Sequence, residues 1–171
     1  MRQPAIEARP GLPYVSIPAE ANLQEWGPVT ALVGEVMGCV HERGLELTAP
    51  PFFRYWVIGD TEKRFQLEIG VPIDREVDGD DRVRPGRIPA GSYATAVHEG
   101  HPDRLEGTSS RLEDWIGRQG LEVALRSQGG EEVWEGRFEF YPTDPRVEPD
   151  ASRWEVEVAY LLASGSQEDP R

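Results

Sequence analysis

Arg43-Gly44-Leu45-Glu46-Leu47 and Gln119-Gly120-Leu121-Glu122-Val123 spell nearly the same phrase in the two halves of the chain. Each phrase closes a stretch of helical periodicity and opens a run of strands. Before the first, residues 21 to 43 carry Leu23, Trp26, Val29 or Thr30, Val33, Met37 and Val40 at three- and four-residue spacing. Asn22 is the expected N-cap and Gly44 the C-cap, while Pro28 argues for a short first turn and a second segment starting near it. Before the second, residues 102 to 119 place Leu105, Leu112, Trp115 and Ile116 on one stripe.

Strands flank both helices. Residues 14 to 18, 52 to 58 and 65 to 73 read as strands in the first half; in the last, Phe65, Leu67, Ile69, Val71 and Ile73 alternate with Gln66, Glu68 and Gly70. Residues 88 to 99, 133 to 141 and 153 to 162 read as strands in the second half, and Ile6 with Ala8 suits a short edge strand. The chain is therefore expected to be an α+β protein of two tandem β-α-β-β repeats, about 4–74 and 87–162, with mainly antiparallel sheets. The two form one domain over 1–162, with a disordered tail from 163 to 171. One such unit cannot bury a sheet face and a helix stripe alone, so the two are expected to pair about a pseudo-two-fold axis and leave a central ligand groove. Residues 74 to 86 read as a charged, exposed connection whose acids lack the spacing of a calcium loop.

The 171 residues include 31 acidic and 18 basic side chains, a net charge of −13. Such a surface repels phosphate backbones and concentrates cations, so direct contact with nucleic acid is not expected. The single cysteine, Cys39, permits no internal disulfide and no cysteine zinc site, and it sits in an apolar run that suits a core thiol. His41, His98 and His101 make no metal set, and no cofactor is expected. The serines lack a nucleophile elbow and the glycines make no phosphate loop. The first thirteen residues hold no apolar signal core and no stretch approaches 18 apolar residues, so a cytoplasmic protein without a membrane segment is expected.

Parity within the last two strands suggests where chemistry resides. Trp154, Val156, Val158 and Tyr160 share one face of the final strand, and Glu155 and Glu157 share the other. In the preceding strand Trp134, Phe138 and Phe140 oppose Arg137, Glu139 and Tyr141. If the aromatic faces are both core, one face collects Glu139, Tyr141 and Glu157 with Glu155 and Arg137. A carboxylate there, walled by aromatics, awaits a cation; an open, solvated sheet face has the same pattern. Phe53, Tyr55, Tyr93 and Trp134 are candidate walls, whereas Trp115 and Trp154 are assigned to core.

Several stretches together resemble one family. They are Pro50-Pro51-Phe52-Phe53-Arg54-Tyr55, Ile88-Pro89-Ala90-Gly91-Ser92-Tyr93-Ala94, Leu112 to Trp115, Glu139-Phe140-Tyr141-Pro142-Thr143-Asp144-Pro145 and Trp154-Glu155-Val156-Glu157-Val158. Their order and spacing resemble the GyrI-like small-molecule-binding family, which includes effector-binding domains of bacterial multidrug-responsive transcription activators and the gyrase inhibitory protein. The resemblance implies paired β-α-β-β modules around a hydrophobic groove with an acid at its floor, holding aromatic, often cationic compounds. By position, Glu157 is the implied groove acid, while Glu139 and Tyr141 match the Glu-x-Tyr-x-x-Asp-Pro pattern. Val156 stands where the family usually has Thr. Nothing in the sequence resembles the regulators' DNA-binding segment.

Some stand-alone members resemble hydrolases of cyclopropane-bearing DNA-alkylating compounds. That alternative casts Glu157 as general base and Tyr141 as donor. A third is a protein-binding module like the gyrase inhibitor, its acidic surface mimicking nucleic acid.

Overall fold

In the computed structural model, which describes residues 3–22, 26–58 and 64–164, the repeated phrase is a helix terminator used twice. Gly44 and Gly120 take φ of +65° and +70°, a conformation open to glycine and strained for other residues. Beyond each, the Leu45 N–H donates to Val40 O and the Leu121 N–H to Ile116 O, while Gly44 and Gly120 donate to His41 O and Gly117 O. This paired bonding satisfies the last helical carbonyls, and Leu45 and Leu121 fold back onto the apolar clusters beneath their helices.

The helices are α1 (Trp26–Glu42) and α2 (Leu105–Arg118), the latter entered through a 3₁₀ turn at Pro102–Arg104. The strands are β1 (Ala5–Arg9), β2 (Leu12–Ala21), β3 (Phe52–Val57), β4 (Phe65–Pro72), β5 (Arg84–Ile88), β6 (Gly91–Glu99), β7 (Leu125–Gln128), β8 (Glu131–Trp134), β9 (Arg137–Phe140) and β10 (Glu155–Leu161). Several boundaries differ from the sequence reading. Strand β2 runs on to Ala21, which pairs with Phe65, so the first helix starts at Trp26. Pro28 then lies in its first turn, where a missing N–H costs no hydrogen bond. Residues 88 to 99 divide between β5 and β6, and residues 133 to 141 divide at Glu135-Gly136. The expected turn at Gly59-Asp60, Leu23, and the tail beyond Ser164 lie outside the described residues.

Eight strands form one antiparallel sheet in the order β1-β6-β10-β9-β3-β4-β2-β5; β7 and β8 form a separate hairpin. Between the edge strands β1 and β5, the six inner strands mirror one another: β6-β10-β9 runs first, last, middle of the second unit, and β3-β4-β2 runs middle, last, first of the first. The edge strand foreseen at Ile6 and Ala8 is β1, pairing Ile6 with Ala94 and Ala8 with Ser92. The units meet where β3 pairs with β9, Phe53 opposite Glu139 and Tyr55 opposite Arg137.

Both helices lie on one face. Helix α1 packs through Val36, Cys39 and Val40 on Val15, Val71 and Ile73, and through Val29 on Phe53, Tyr55 and Ile69. Helix α2 packs through Leu105, Leu112 and Ile116 on Ala94, Val156, Val158 and Tyr160. The other face lies inside the sheet's curl and buries its own aromatic cluster of Tyr14, Phe52, Tyr93, Phe138 and Phe140. The central strands are thus buried on both sides. Gly70 marks how tightly the curl closes, because a Cβ there would stand 2.5 Å from Phe52 Cζ and 3.1 Å from Val15 O. Since Phe52 is fully buried, Gly70→Ala is expected to lower the unfolding free energy by about 1–3 kcal/mol, read as a lower urea midpoint at unchanged m.

Candidate functional site

Residues directly opposite in an antiparallel ladder point to the same side, so the pairings sort the candidate residues between faces. Phe53, Glu139 and Val158 form one cross-strand row, and Tyr55, Arg137 and Tyr160 the next. Both rows face the helices. Arg54, Phe138, Ala159 and Thr95 form the intervening row on the opposite side, and Phe52, Phe140, Glu157 and Val97 form the next row on that side.

The expectation that Glu139, Tyr141 and Glu157 share a face therefore fails. Parity fixes alternation within a strand but not the offset between strands. Here β9 is apolar towards the curl and polar towards the helices, the reverse of the assumption. Glu155 also lies on the Glu157 face and Arg137 on the Glu139 face. Tyr93 lies opposite Leu161 on the curl side, fully buried, its hydroxyl donating to Pro89 O at 2.7 Å.

On the helix side, Glu139 stands at the seam between the two units. Its Oε1 accepts the Tyr55 hydroxyl at 2.8 Å and the Tyr141 hydroxyl at 2.9 Å. Tyr141 packs against the apolar cluster under α1 and the one under α2, and its ring lies 5.1 Å from Phe53. Phe53 and Tyr55 are buried at 4% and 5% exposure. Burial raises the Glu139 carboxyl pKa, with the two phenols and Arg137 opposing the shift. Burial, with the Glu139 charge added, pushes both phenols well above their ordinary value, so they remain donors.

The nearby cation is already engaged. The Arg137 guanidinium lies 4.5 Å from the ring centroids of both Trp134 and Tyr160, and its Nη1 donates to Glu113 Oε1 at 3.2 Å. Among the described residues, Glu139 has no ion pair of its own and its Oε2 accepts no hydrogen bond. The seam thus holds a half-buried carboxylate, two phenol donors and an aromatic wall, the parts that stabilise an apolar cation. Trp134 joins this side through its contact with Tyr160, at 5.4 Å between rings.

Glu157 is differently placed. Arg9 of β1 reaches it with Nη1 2.8 Å from Oε1, and the same guanidinium lies over Tyr93 and Phe140 at 5.8 and 5.9 Å. Its carboxylate, with the side chain 27% exposed, already holds an internal cation. Trp154, assigned to core, is half-buried near the sheet's end, donating to Glu148 O at 2.6 Å with His101 against its ring.

Among the described residues no cluster of three His, Cys, Asp or Glu side chains is placed to hold a metal, and no helix is long and apolar enough to cross a membrane. The sequence profile of the GyrI-like small molecule binding domain matches residues 2–160.

The chain belongs to the GyrI-like family.

Its relatives in fold fit that placement. The GyrI-like chain superposes on EcmrR in a cryo-EM complex with DNA with a TM-score of 0.79 at 20% identity; the match covers 94% of this chain and 57% of EcmrR. It thus spans little more than half of that protein. The crystal structure of the EcmrR C-terminal domain gives 0.77 at 19% identity, covering 94% and 97% of the two chains. SAV2435, solved bound to tetraphenylphosphonium, gives 0.64 at 10% identity and 98% coverage of both. At these identities the likeness is one of fold. No curated protein matches the chain.

Proposed function

We propose that this GyrI-like domain binds hydrophobic, aromatic cations at the seam between its two units, with Glu139 as the charge that selects them. The observation that carries this is the Glu139 carboxylate, half-buried among rings, hydrogen-bonded by two phenols and without an ion pair among the described residues. A carboxylate in such a site is costly to ionise alone, and a cation with an apolar surface restores the lost solvation without bringing water. The family assignment and the tetraphenylphosphonium bound to SAV2435 support the same ligand class. The mirrored strand order supports the two-fold relation expected of the units, with its axis between β3 and β9.

The hydrolytic alternative loses its named pair. Glu157 and Tyr141 lie on opposite faces of the sheet, so one substrate cannot touch both as base and donor.

Titration with tetraphenylphosphonium across pH tests the binding reading. The ligand's charge is permanent, so the pH dependence reports the protein. Affinity is expected to rise with pH as Glu139 ionises, with an apparent midpoint above the ordinary glutamate value of about 4.3. A flat profile from about pH 4 to pH 8 contradicts the assignment.

A further inference from the structure

A sizeable cavity lies away from the seam. It measures about 860 Å³ and opens beside the C-terminal half of α2, against residues 121–125, the end of β8 and residues 161–164. Its lining includes none of Tyr55, Glu139 and Tyr141. Trp134, Leu121, Leu161 and Ile116 supply apolar walls, and Glu113, Glu122 and Glu135 supply carboxylates; among the described residues no Lys, Arg or His lines it. Glu113 is engaged with Arg137. The half-buried Glu135 carboxylate has no partner among the described residues; only its backbone is engaged, the carbonyl accepting from Arg54 Nη2 at 2.9 Å and the N–H donating to Ala124 O at 3.0 Å. The cavity also lies at the carbonyl end of α2, the negative pole of the helix dipole.

We propose that this cavity is a second binding compartment, separate from the Glu139 seam, and that it takes a bulky lipophilic cation of the aromatic ammonium or phosphonium class. The volume lies within the range of small-molecule sites, and a wall mixing Trp and Leu with carboxylates, with no basic group among the described residues, selects for apolar surface carrying positive charge. An anion or a phosphorylated ligand meets the wrong sign of field. The inference does not rest on the seam: either compartment can exist without the other.

Gly117 provides the test. It lies in α2 on the cavity lining, and a Cβ built there meets nothing within 4 Å. Gly117→Phe therefore fills the cavity without a backbone clash and replaces a poor helix former, so thermal stability is expected to hold or rise.

The experiment is calorimetric titration of tetraphenylphosphonium into wild type, Gly117→Phe, Glu139→Gln and the double variant. Two equivalents are expected to bind wild type. Gly117→Phe keeps only the event that Glu139→Gln removes, Glu139→Gln keeps only the event that Gly117→Phe removes, and the double variant binds neither. Wild-type stoichiometry in a folded Gly117→Phe overturns the proposal, as does a single wild-type equivalent lost with Glu139→Gln. A single equivalent lost with Gly117→Phe and kept in Glu139→Gln upholds the cavity and removes the seam. Glu135→Gln, which leaves the backbone alone, is expected to weaken the cavity event about tenfold; unchanged affinity counts equally against it.

Discussion

Replacement of Arg54 by alanine is expected to cost about 3–5 kcal/mol of unfolding free energy, the largest single loss foreseen for this domain. The guanidinium is buried at 5% exposure, inside the curl. Its Nη1 donates to the Tyr14 hydroxyl at 2.9 Å and to Arg87 O at 3.1 Å, and its Nη2 donates to Glu135 O at 2.9 Å. Tyr14 in turn donates to Glu68 Oε1. The planar cation also lies 3.9 Å from the Trp56 ring centroid and 5.1 Å from that of Phe138. One side chain therefore ties β5 and the β8–β9 bend to the central strands. Alanine leaves two carbonyls and a phenol short of a donor in a dry site, and opens a void among rings.

Arg54→Lys is expected to recover only part of the loss, because an ammonium cannot reproduce the fork that spans three acceptors. Its Nε is the one buried side-chain polar atom among the described residues without a partner, a modest cost already present in wild type. Urea denaturation measures the effect. A change under about 1 kcal/mol removes Arg54 from its assigned structural role.

Glu139→Gln is expected to weaken tetraphenylphosphonium binding at the seam by about 10–100-fold, or about 1.4–2.8 kcal/mol. Gln keeps the shape and one oxygen for the Tyr55 and Tyr141 hydroxyls, so the change isolates charge. The effect on stability runs the other way. The folded-state pKa of Glu139 is raised, so the native protein holds this proton at pH values where the unfolded chain has released it. Wild-type stability thus falls as pH climbs from the unfolded value through the raised one, and the charge-free variant escapes that loss. Glu139→Gln should bind less and, above that window, unfold no more easily than wild type. Separate urea curves at acid and neutral pH test the sign.

The fold was legible where local chemistry has one meaning. The Arg43-Gly44-Leu45 and Gln119-Gly120-Leu121 phrases are helix terminators in any context, and they exposed the two-unit plan. The alternation of residues 65 to 73 became β4, and the weak signal at Ile6 and Ala8 became an edge strand. The Gly129-Gly130 turn of the β7–β8 hairpin, with φ of +60° and +82°, is an equally local signal.

Failures came from facts that live between elements. Alternation in β9 and β10 was read correctly, but their relative offset depends on pairing, so Glu139 and Glu157 were assigned to one face while lying on two. A curled sheet with apolar residues on both sides removes the usual cue that rings point to the core and charges to water. Arg54 did leave a trace: a lone cation within Phe52-Phe53-Arg54-Tyr55-Trp56 belongs to a site where it must be paired. The acids of the α2 cavity left none, because Glu113, Glu122 and Glu135 come together only in the folded chain.

The most direct measurement is the affinity of tetraphenylphosphonium for Glu139→Gln and Glu157→Gln side by side at neutral pH. The seam predicts the loss in Glu139→Gln and near wild-type binding in Glu157→Gln, whose parent carboxylate is held by Arg9 on the other face. A loss confined to Glu157→Gln, with Glu139→Gln unaffected, contradicts it.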